Sequence, residues 1–155
     1  MRLTIRTNLA LRTLMMCAVN DGRTVRKHEI AEACNASENH LAQVINTLGQ
    51  LEFVETVRGR HGGLRLGLPK ERIAVGAVFR AFESGVPFAE CFDPNANTCP
   101  LTTSCRLRGA LRAALEAFYT TLDRISLAEL IDDNAGLTHL LSLSEDARGF
   151  ALACP

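Results

Sequence analysis

Apolar positions along the first fifty residues recur at helical spacing, and polar turns separate the repeats. The pattern predicts helices over residues 3–19, 26–34 and 38–50. Gly22 lies in the turn after the first helix, and Ser37 is a suitable N-cap for the third. Two short helices joined by a tight turn, after a longer helix, indicate a helix-turn-helix.

The pattern then changes to two short β-runs, over about 53–58 and 64–67, around a turn rich in glycine. Gly62-Gly63 is expected to supply the positive φ angles that a tight hairpin needs. A hairpin directly after a helix-turn-helix is typical of a winged helix. The predicted fold class is therefore mainly α, a winged helix-turn-helix DNA-binding domain with a long C-terminal dimerisation helix.

Helical spacing returns over residues 73–83 and, in the longest helix, over 106–123. The apolar face of the longest helix is broad, which favours dimerisation; packing against its own winged helix is the alternative. Ser126 and Glu129 predict a capping box that starts a short helix ending near residue 133. The tail is weakly patterned. These patterns divide the chain into a winged helix (1–70), a loop and dimerisation helices (71–133), and a tail (134–155).

The bulk composition changes this picture little. The chain has 155 residues, 47% hydrophobic and 22% charged, as in an ordinary soluble domain. No apolar run approaches the roughly 20 residues needed to span a bilayer. The N-terminus has scattered arginines and lacks the features of a signal peptide. We therefore expect a cytoplasmic protein with no membrane partner.

Charge is distributed unevenly although the net charge is zero. Residues 1–80 contain twelve Lys and Arg against seven Asp and Glu, a net of +5. Residues 81–155 contain five against ten, a net of −5. A basic first half fits an anionic partner, with double-stranded DNA first among the candidates, although an imbalance of this size is common.

Two sets of side chains are candidates for DNA contact. The polar face of the third helix offers amides that can bond adenine and a threonine that can touch a thymine methyl group. The alternative is that these residues are only the solvated side of an amphipathic helix. Basic residues of the hairpin could reach phosphates or the minor groove. The predicted contacts are Asn39, His40, Gln43, Asn46 and Thr47 on the helix, and Arg58, Arg60, His61 and Arg65 on the hairpin.

Three cysteines, Cys91, Cys99 and Cys105, follow the spacing C-x7-C-x5-C in a stretch whose composition is that of a loop. Three thiolates can hold an iron–sulfur cluster or a zinc ion. Three unpaired surface thiols are the simpler alternative. A structural zinc would need a fourth ligand, for which His61 and His139 are candidates.

The other cysteines have different expected roles. Cys17 and Cys34 lie among apolar residues and are expected to be buried, whereas Cys154 is expected to be a mobile terminal thiol. A redox enzyme would favour C-x-x-C, which is absent. The glycines of GRHGG lack the Lys-Ser/Thr of a P-loop, and no nucleophile–base pair stands out. We therefore do not expect an enzyme.

Three stretches in register, MRLT..TN.ALR, VRGRHGGLRLG and ECF…CPL…CRLR…AL, together resemble one family of winged-helix, cluster-binding bacterial repressors. That family includes IscR, NsrR and RirA, and the resemblance covers most of residues 1–133. It implies a homodimer with the long helix at the interface, and cluster ligation by Cys91, Cys99 and Cys105. IscR-like members place a histidine shortly after the third cysteine, where this chain has Arg106-Leu107-Arg108.

The resemblance is closest to nitric-oxide-sensitive members like NsrR, because SENHLAQVINTLGQL matches their recognition helix. It therefore implies a four-iron rather than a two-iron cluster, with nitric oxide as effector. NsrR-like members can draw a fourth ligand from an aspartate of the partner subunit, and the matching position here is Asn8. An amide is a poor iron ligand. RirA-like, iron-responsive members also carry asparagine there and share the cysteine spacing, so an iron-responsive repressor is the alternative.

Overall fold

The computed structural model describes residues 4–60, 62–85 and 87–143. Within these ranges the chain is mainly helical, with one small antiparallel sheet, which confirms the predicted fold class. The helices are α1 (Ile5–Val19), α2 (Lys27–Ala33), α3 (Glu38–Gln50), α4 (Val75–Glu83), α5 (Arg106–Asp123), α6 (Leu127–Ile131) and α7 (Ala135–Leu141), and the strands are β1 (Val54–Val57) and β2 (Gly63–Leu66). No helix in the described ranges combines the length and hydropathy of a bilayer-spanning segment.

The helix-turn-helix lies where the spacing predicted it. Helix α1 begins after Thr4, whose side-chain oxygen accepts a hydrogen bond from the backbone N–H of Thr7 at 3.2 Å. The start predicted at residue 3 lies outside the described residues. Ser37 is the N-cap of α3, as predicted, but its hydroxyl makes no capping hydrogen bond. The start of α3 therefore depends on packing more than on its cap.

Helix α1 is buried on more sides than its sequence pattern predicted. Ala10, Leu14 and Met16 are fully buried, and so are the polar residues Thr7 and Thr13. Leu11 and Met15, whose spacing also fits an apolar face of this helix, are only partly buried. The reason is that α1 contacts α3, α4, α6, α7 and β2, so a single amphipathic face does not describe it.

The hairpin pairs Val54 with Leu66 and Val57 with Gly63, close to the predicted strands. The expectation that Gly62-Gly63 supplies the positive φ angles is wrong, because in the described part of the turn Gly59 does so, at φ 107°. Gly62 and Gly63 are required for space instead. An added Cβ would lie 2.6 Å from the carbonyl oxygen of Val57 at Gly62, and 2.8 Å from that of Val25 at Gly63.

Helices α4 and α5 form an antiparallel pair whose connection carries the three cysteines. The rings of Phe79 and Phe118 meet edge to face, with centroids 5.6 Å apart. Arg80 donates to Asp123 and stacks over the Tyr119 ring at 4.6 Å. No residue of α5 is fully buried, because α4 covers only one side of it. The described chain therefore leaves much of α5 uncovered.

The segment after α5 is more ordered than predicted. The capping box of Ser126 and Glu129 is confirmed, with the Ser126 N–H donating to the carboxylate at 2.7 Å. The tail from residue 134 was expected to lack pattern, but it begins with α7, which Asn134 caps. Buried Asn20 holds this helix by donating to the Leu141 carbonyl at 2.9 Å. The rest of the tail, including Cys154, lies outside the described residues.

Gly76 of α4 packs closely against Asp123 at the end of α5. An added Cβ would lie 2.1 Å from the carboxylate of Asp123 and 2.7 Å from its backbone nitrogen, so α5 would have to move. We predict that Gly76→Ala destabilises the fold by roughly 1–3 kcal/mol, the usual cost of overpacking. Thermal unfolding by circular dichroism measures this.

Gly109 provides the matched control, because it is also a helical glycine and an added Cβ there meets nothing within 4 Å. Gly109→Ala should be neutral, or stabilising by up to about 1 kcal/mol through helix propensity. Equal melting temperatures for the two variants would contradict the predicted clash.

Candidate DNA-binding surface and cysteine loop

The recognition helix α3 turns one face inward and the other outward. Leu41, Val44 and Leu48 are fully buried, and this burial holds the helix in place. Of the predicted contacts, Asn39, His40, Gln43 and Asn46 are exposed, and only Thr47 is half-buried. Thr47 donates its hydroxyl to the Gln43 carbonyl at 3.1 Å, so it is less available for a base. The structure thus presents most of the predicted polar face to solvent.

The hairpin residues are placed less uniformly. Arg58 and Arg60 are exposed near the tip, and His61 lies outside the described residues. Arg65 is exposed, but it donates to one carboxylate oxygen of Glu55 at 2.9 and 2.7 Å. An exposed ion pair of this kind contributes at most about 1 kcal/mol, so a phosphate can displace the carboxylate. Glu55 would still remain beside the phosphate and repel it.

Sequence reasoning missed the acidic residues of this surface. Glu55 lies directly opposite Arg65 in the strand register, a pairing that the alternation of the two β-runs could have indicated. Glu38, at the start of α3, forms a second exposed ion pair with Lys27 at 2.9 Å. These carboxylates partly neutralise the basic half of the chain at the face where the recognition helix and hairpin meet.

An open groove of about 1130 Å³ separates α3 from the hairpin. Lys27 and Asn46 contribute to one side, and Glu55 and Thr56 to the other. Because both charge signs line it, the groove carries no uniform attraction for a phosphate backbone. The exposed outer edges, the tip of the hairpin and the polar face of α3, are the better candidates for DNA contact.

The cysteine loop runs from the end of α4 to the start of α5. Cys91 lies in a 3₁₀ turn over Glu90–Phe92, Cys99 follows in irregular chain, and Cys105 is the N-cap of α5. The Cys105 sulfur accepts the backbone N–H of Arg108 at 3.4 Å. All three thiols are half-buried, so they are neither fully exposed nor sealed in the core.

Hydrogen bonds within the loop order it. Glu90 accepts from the Thr98 N–H at 2.8 Å and from the Thr98 hydroxyl at 2.7 Å, and these bonds hold the pKa of Glu90 below its ordinary value. They join the residue next to Cys91 to the residue next to Cys99. Thr102 donates to the Cys99 carbonyl at 2.7 Å. The loop backbone is therefore folded on itself.

The donor types in this loop fit an iron–sulfur cluster, but the thiols are not gathered in this structure. In the described part of the chain, no group of three or more His, Cys, Asp or Glu side chains is close enough to hold a metal ion. One further observation favours an anionic group beside this loop: Arg108 Nε, one turn after Cys105, is buried and has no hydrogen-bond partner among the described residues. The three cysteines therefore remain predicted ligands.

The buried cysteines differ chemically from those in the loop. Burial raises the pKa of Cys17 to about 12, and burial also raises the pKa of Cys34, where nearby Arg12 offsets part of the effect. Both are fully within the core, as predicted. Because the thiolate is the form that ligates metals and reacts, these two residues are structural.

Asn8 faces a cavity that none of the three loop cysteines lines. It lines a cavity of about 320 Å³ beside the helix-turn-helix, together with Arg12, Cys34 and His40. Arg12 donates to the Cys34 carbonyl at 3.3 Å, at the turn that precedes the recognition helix. Asn8 is thus close to the start of α3, and its predicted role at a partner subunit's cluster stays a prediction.

Glu83 lies at the end of α4, where the cysteine loop begins, and it is hydrogen-bonded to the start of α1. It accepts from the Thr4 N–H at 3.0 Å, from the Thr4 hydroxyl at 2.9 Å and from the Thr7 hydroxyl. Partial burial alone would raise the pKa of Glu83, but these hydrogen bonds outweigh burial and lower it. The ionised carboxylate is therefore the form that holds α1 to α4.

The comparison with known proteins agrees with this architecture. The family described as Rrf2, iron-dependent transcriptional regulator, matches residues 3–133. The chain belongs to the Rrf2 family. This confirms the resemblance seen in the three sequence stretches, and it makes the protein a transcriptional regulator of that family.

Individual Rrf2 relatives match nearly the whole chain. The HTH-type transcriptional regulator NsrR of Geobacillus kaustophilus is 44% identical over 142 residues, 91% of this chain and 97% of that protein. NsrR of Bacillus subtilis is 40% identical over 146 residues, covering 94% of this chain and all of that protein. Protein aau3 of Rhizobium meliloti is 41% identical over 148 residues, 96% of each chain.

Solved structures support the fold alone, because their sequence identity is low. T. potens IscR superposes with a TM-score of 0.71 at 23% identity, covering 88% of this chain and 90% of that one. The oxidized form of Staphylococcus aureus CymR gives 0.67 at 22% identity, covering 85% and 97%. The helix-turn-helix, hairpin and long helix therefore form a fold that these solved proteins share.

We predict that Arg60→Ala weakens binding to every DNA sequence and reduces the slope of log affinity against log salt by about 1 for each subunit, because one phosphate contact is lost. Fluorescence anisotropy at several salt concentrations measures both effects. Arg72→Ala is the control, since Arg72 is an exposed arginine outside the predicted DNA contacts and outside α5, and its removal changes the net charge equally. Equal losses from both variants would indicate an effect of net charge, not a contact from the hairpin.

We also predict that Glu83→Gln lowers the urea midpoint at pH 7, because an amide accepts weaker hydrogen bonds than a carboxylate. The folded-state pKa is lowered, so the stabilisation is present above the ordinary carboxyl pKa of 4.5 and is lost as pH falls through the folded-state pKa. The wild type should therefore approach the variant in acid. Glu116→Gln, on the exposed side of α5, is the control; a difference that persists unchanged at low pH would contradict the assignment.

Proposed function

We propose that this Rrf2 regulator is a transcriptional repressor that senses nitric oxide through an iron–sulfur cluster held by Cys91, Cys99 and Cys105. The observation that carries the proposal is the C-x7-C-x5-C loop between α4 and α5, in a chain 44% identical to an NsrR regulator. The loop thiols lack the deep burial of Cys17, and a thiolate tripod is suited to cluster iron.

On this proposal the DNA-bound form is a homodimer. Helix α5 has no fully buried residue, and Leu107 on it is 65% exposed, which leaves apolar surface for a second copy. Two recognition helices would then enter successive major-groove half-sites of a double-stranded operator. Asn39, His40, Gln43 and Asn46 would contact bases, and Arg58 and Arg60 would contact phosphates. Such a regulator works in the cytoplasm, where it meets its operator.

The chain offers a continuous set of contacts from the cysteine loop to the recognition helix. The loop begins where α4 ends, and there Glu83 binds Thr4 and Thr7 of α1. Five residues after Thr7 along α1, Arg12 binds the carbonyl of Cys34 in the turn before α3. A change in the loop that moves the end of α4 would therefore be passed through α1 to the turn that sets α3.

A bound cluster would supply iron with high affinity for nitric oxide. A four-iron cluster needs a ligand at each iron, and the three cysteines leave one iron without a protein thiolate. The family resemblance matches Asn8 of the partner subunit to the position of a fourth ligand, and its amide would be a weak donor. A weakly held fourth position would favour access of a small diatomic molecule to the site.

The experiment begins with protein purified without oxygen, followed by visible absorption, titration with nitric oxide and a DNA-binding assay on the same sample. We expect a broad cluster absorption that disappears with nitric oxide, together with loss of operator binding. A colourless protein with stoichiometric zinc would overturn the sensor and leave the DNA-binding assignment intact.

The family description favours a second candidate, an iron-responsive repressor, and Asn8 is consistent with it. The two functions differ in the signal to which the holoprotein responds. Operator binding that survives low nitric oxide but is lost on iron chelation would select the iron-responsive function. Loss at stoichiometric nitric oxide with iron still present would select the nitric oxide sensor.

We predict that Cys99→Ser prevents cluster assembly, because a neutral hydroxyl is a poor substitute for a thiolate at iron. Absorption and iron content after anaerobic reconstitution measure the loss. Cys17→Ser is the matched control, since Cys17 is a buried core thiol and its variant should still take up iron if it folds. A Cys99→Ser protein with the wild-type spectrum would remove Cys99 from the ligand set.

A further inference from the structure

Arg108 occupies a distinctive position beside the third cysteine. It lies in the first turn of α5, and its backbone N–H donates to the Cys105 sulfur at 3.4 Å. Its side-chain Nε is buried and has no hydrogen-bond partner. By contrast, Arg106 and Arg112, on the same helix, are exposed to water.

A buried guanidinium N–H without a partner is uncommon, because the group loses its bond to water and gains nothing in return. The described chain provides no carboxylate for Arg108 Nε. Arginine stays protonated at every accessible pH and donates without accepting, so the missing partner is an acceptor and is favoured if it is anionic.

We propose that Arg108 donates its Nε–H to a sulfur atom of the iron–sulfur cluster, either a sulfide or the Cys105 thiolate. This inference rests on the proposed function, since it needs a cluster at the three cysteines. A cluster with thiolate ligands carries negative charge and exposes sulfur acceptors, which match the missing partner of Nε. Arg108 has no lone pair to offer iron, so it is a positioning residue and not a ligand.

The role has two measurable consequences. Hydrogen bonds to cluster sulfur raise the reduction potential, so loss of the bond should lower it. Groups that hold metal ligands in place also slow the loss of metal. Their removal typically lowers metal affinity by about 10- to 100-fold. Both quantities are properties of the cluster itself and can be measured without DNA.

The test compares wild type, Arg108→Met, Arg108→Lys and the control Arg106→Met, all full-length and reconstituted without oxygen. Arg108→Met keeps the apolar stem and removes the donor; Arg108→Lys keeps the charge without the Nε–H. We expect both Arg108 variants to load a cluster that loses iron to a chelator at least about tenfold faster, and to have a lower reduction potential. Arg106→Met should match the wild type.

Several outcomes would overturn the assignment. Wild-type iron loss and potential in both Arg108 variants would remove Arg108 from the cluster site while leaving the proposed function standing. Unchanged cluster properties with a weakened dimer in size-exclusion chromatography would assign Arg108 to the subunit interface. A wild-type protein that takes up no iron would refute both proposals. Far-UV circular dichroism verifies that each variant folds. If Arg108→Met does not fold, Arg108→Lys alone still tests the proposal.

Discussion

Burial of α1 is the constraint on which the rest of the structure depends. Ala10, Leu14 and Met16 have no exposed surface, and the helix contacts the recognition helix, the hairpin and α4, α6 and α7. Protein interiors are close-packed and contain little empty space, so a shift of α1 must move its neighbours. The hydrogen bond of Glu83 connects the start of α1 to the end of α4. The hydrogen bond of Arg12 connects α1 to the turn before α3.

Ion pairs partly neutralise the basic charge of the candidate DNA-binding surface. Arg65 is paired with Glu55, and Lys27 with Glu38, so the basic charge available for phosphate is smaller than the sequence total suggests. Under the proposed function, these ion pairs would lower binding to DNA in general more than binding to a matched operator, because the proposed base contacts from α3 would not depend on those charges. Specificity would then come from the polar face of α3.

The cysteine loop combines an ordered backbone with thiols that are not gathered into one site. Glu90 and Thr98 close the segment between Cys91 and Cys99, and Cys105 is positioned by the first turn of α5. The hydrogen bonds of Glu90 and Thr102 order the loop backbone, and they do not depend on the positions of the three thiols. The unpartnered Nε of Arg108 fits the same proposal, because it too lacks its counterpart.

The sequence by itself determined the approximate spans of α1 to α6, the winged-helix order, the capping box at Ser126, and the position of the cysteine loop, because each is a local pattern of spacing and turn chemistry. Only the tertiary structure decided which residues of α1 are buried, since five elements surround it, and that Gly62 and Gly63 are needed for space and not for positive φ. It also revealed α7, whose Leu141 carbonyl accepts a hydrogen bond from Asn20, a residue distant in sequence. The hydrogen bonds of Glu83 with Thr4 and Thr7 likewise came only from the structure. These features depend on contacts between distant residues, which a local pattern does not record.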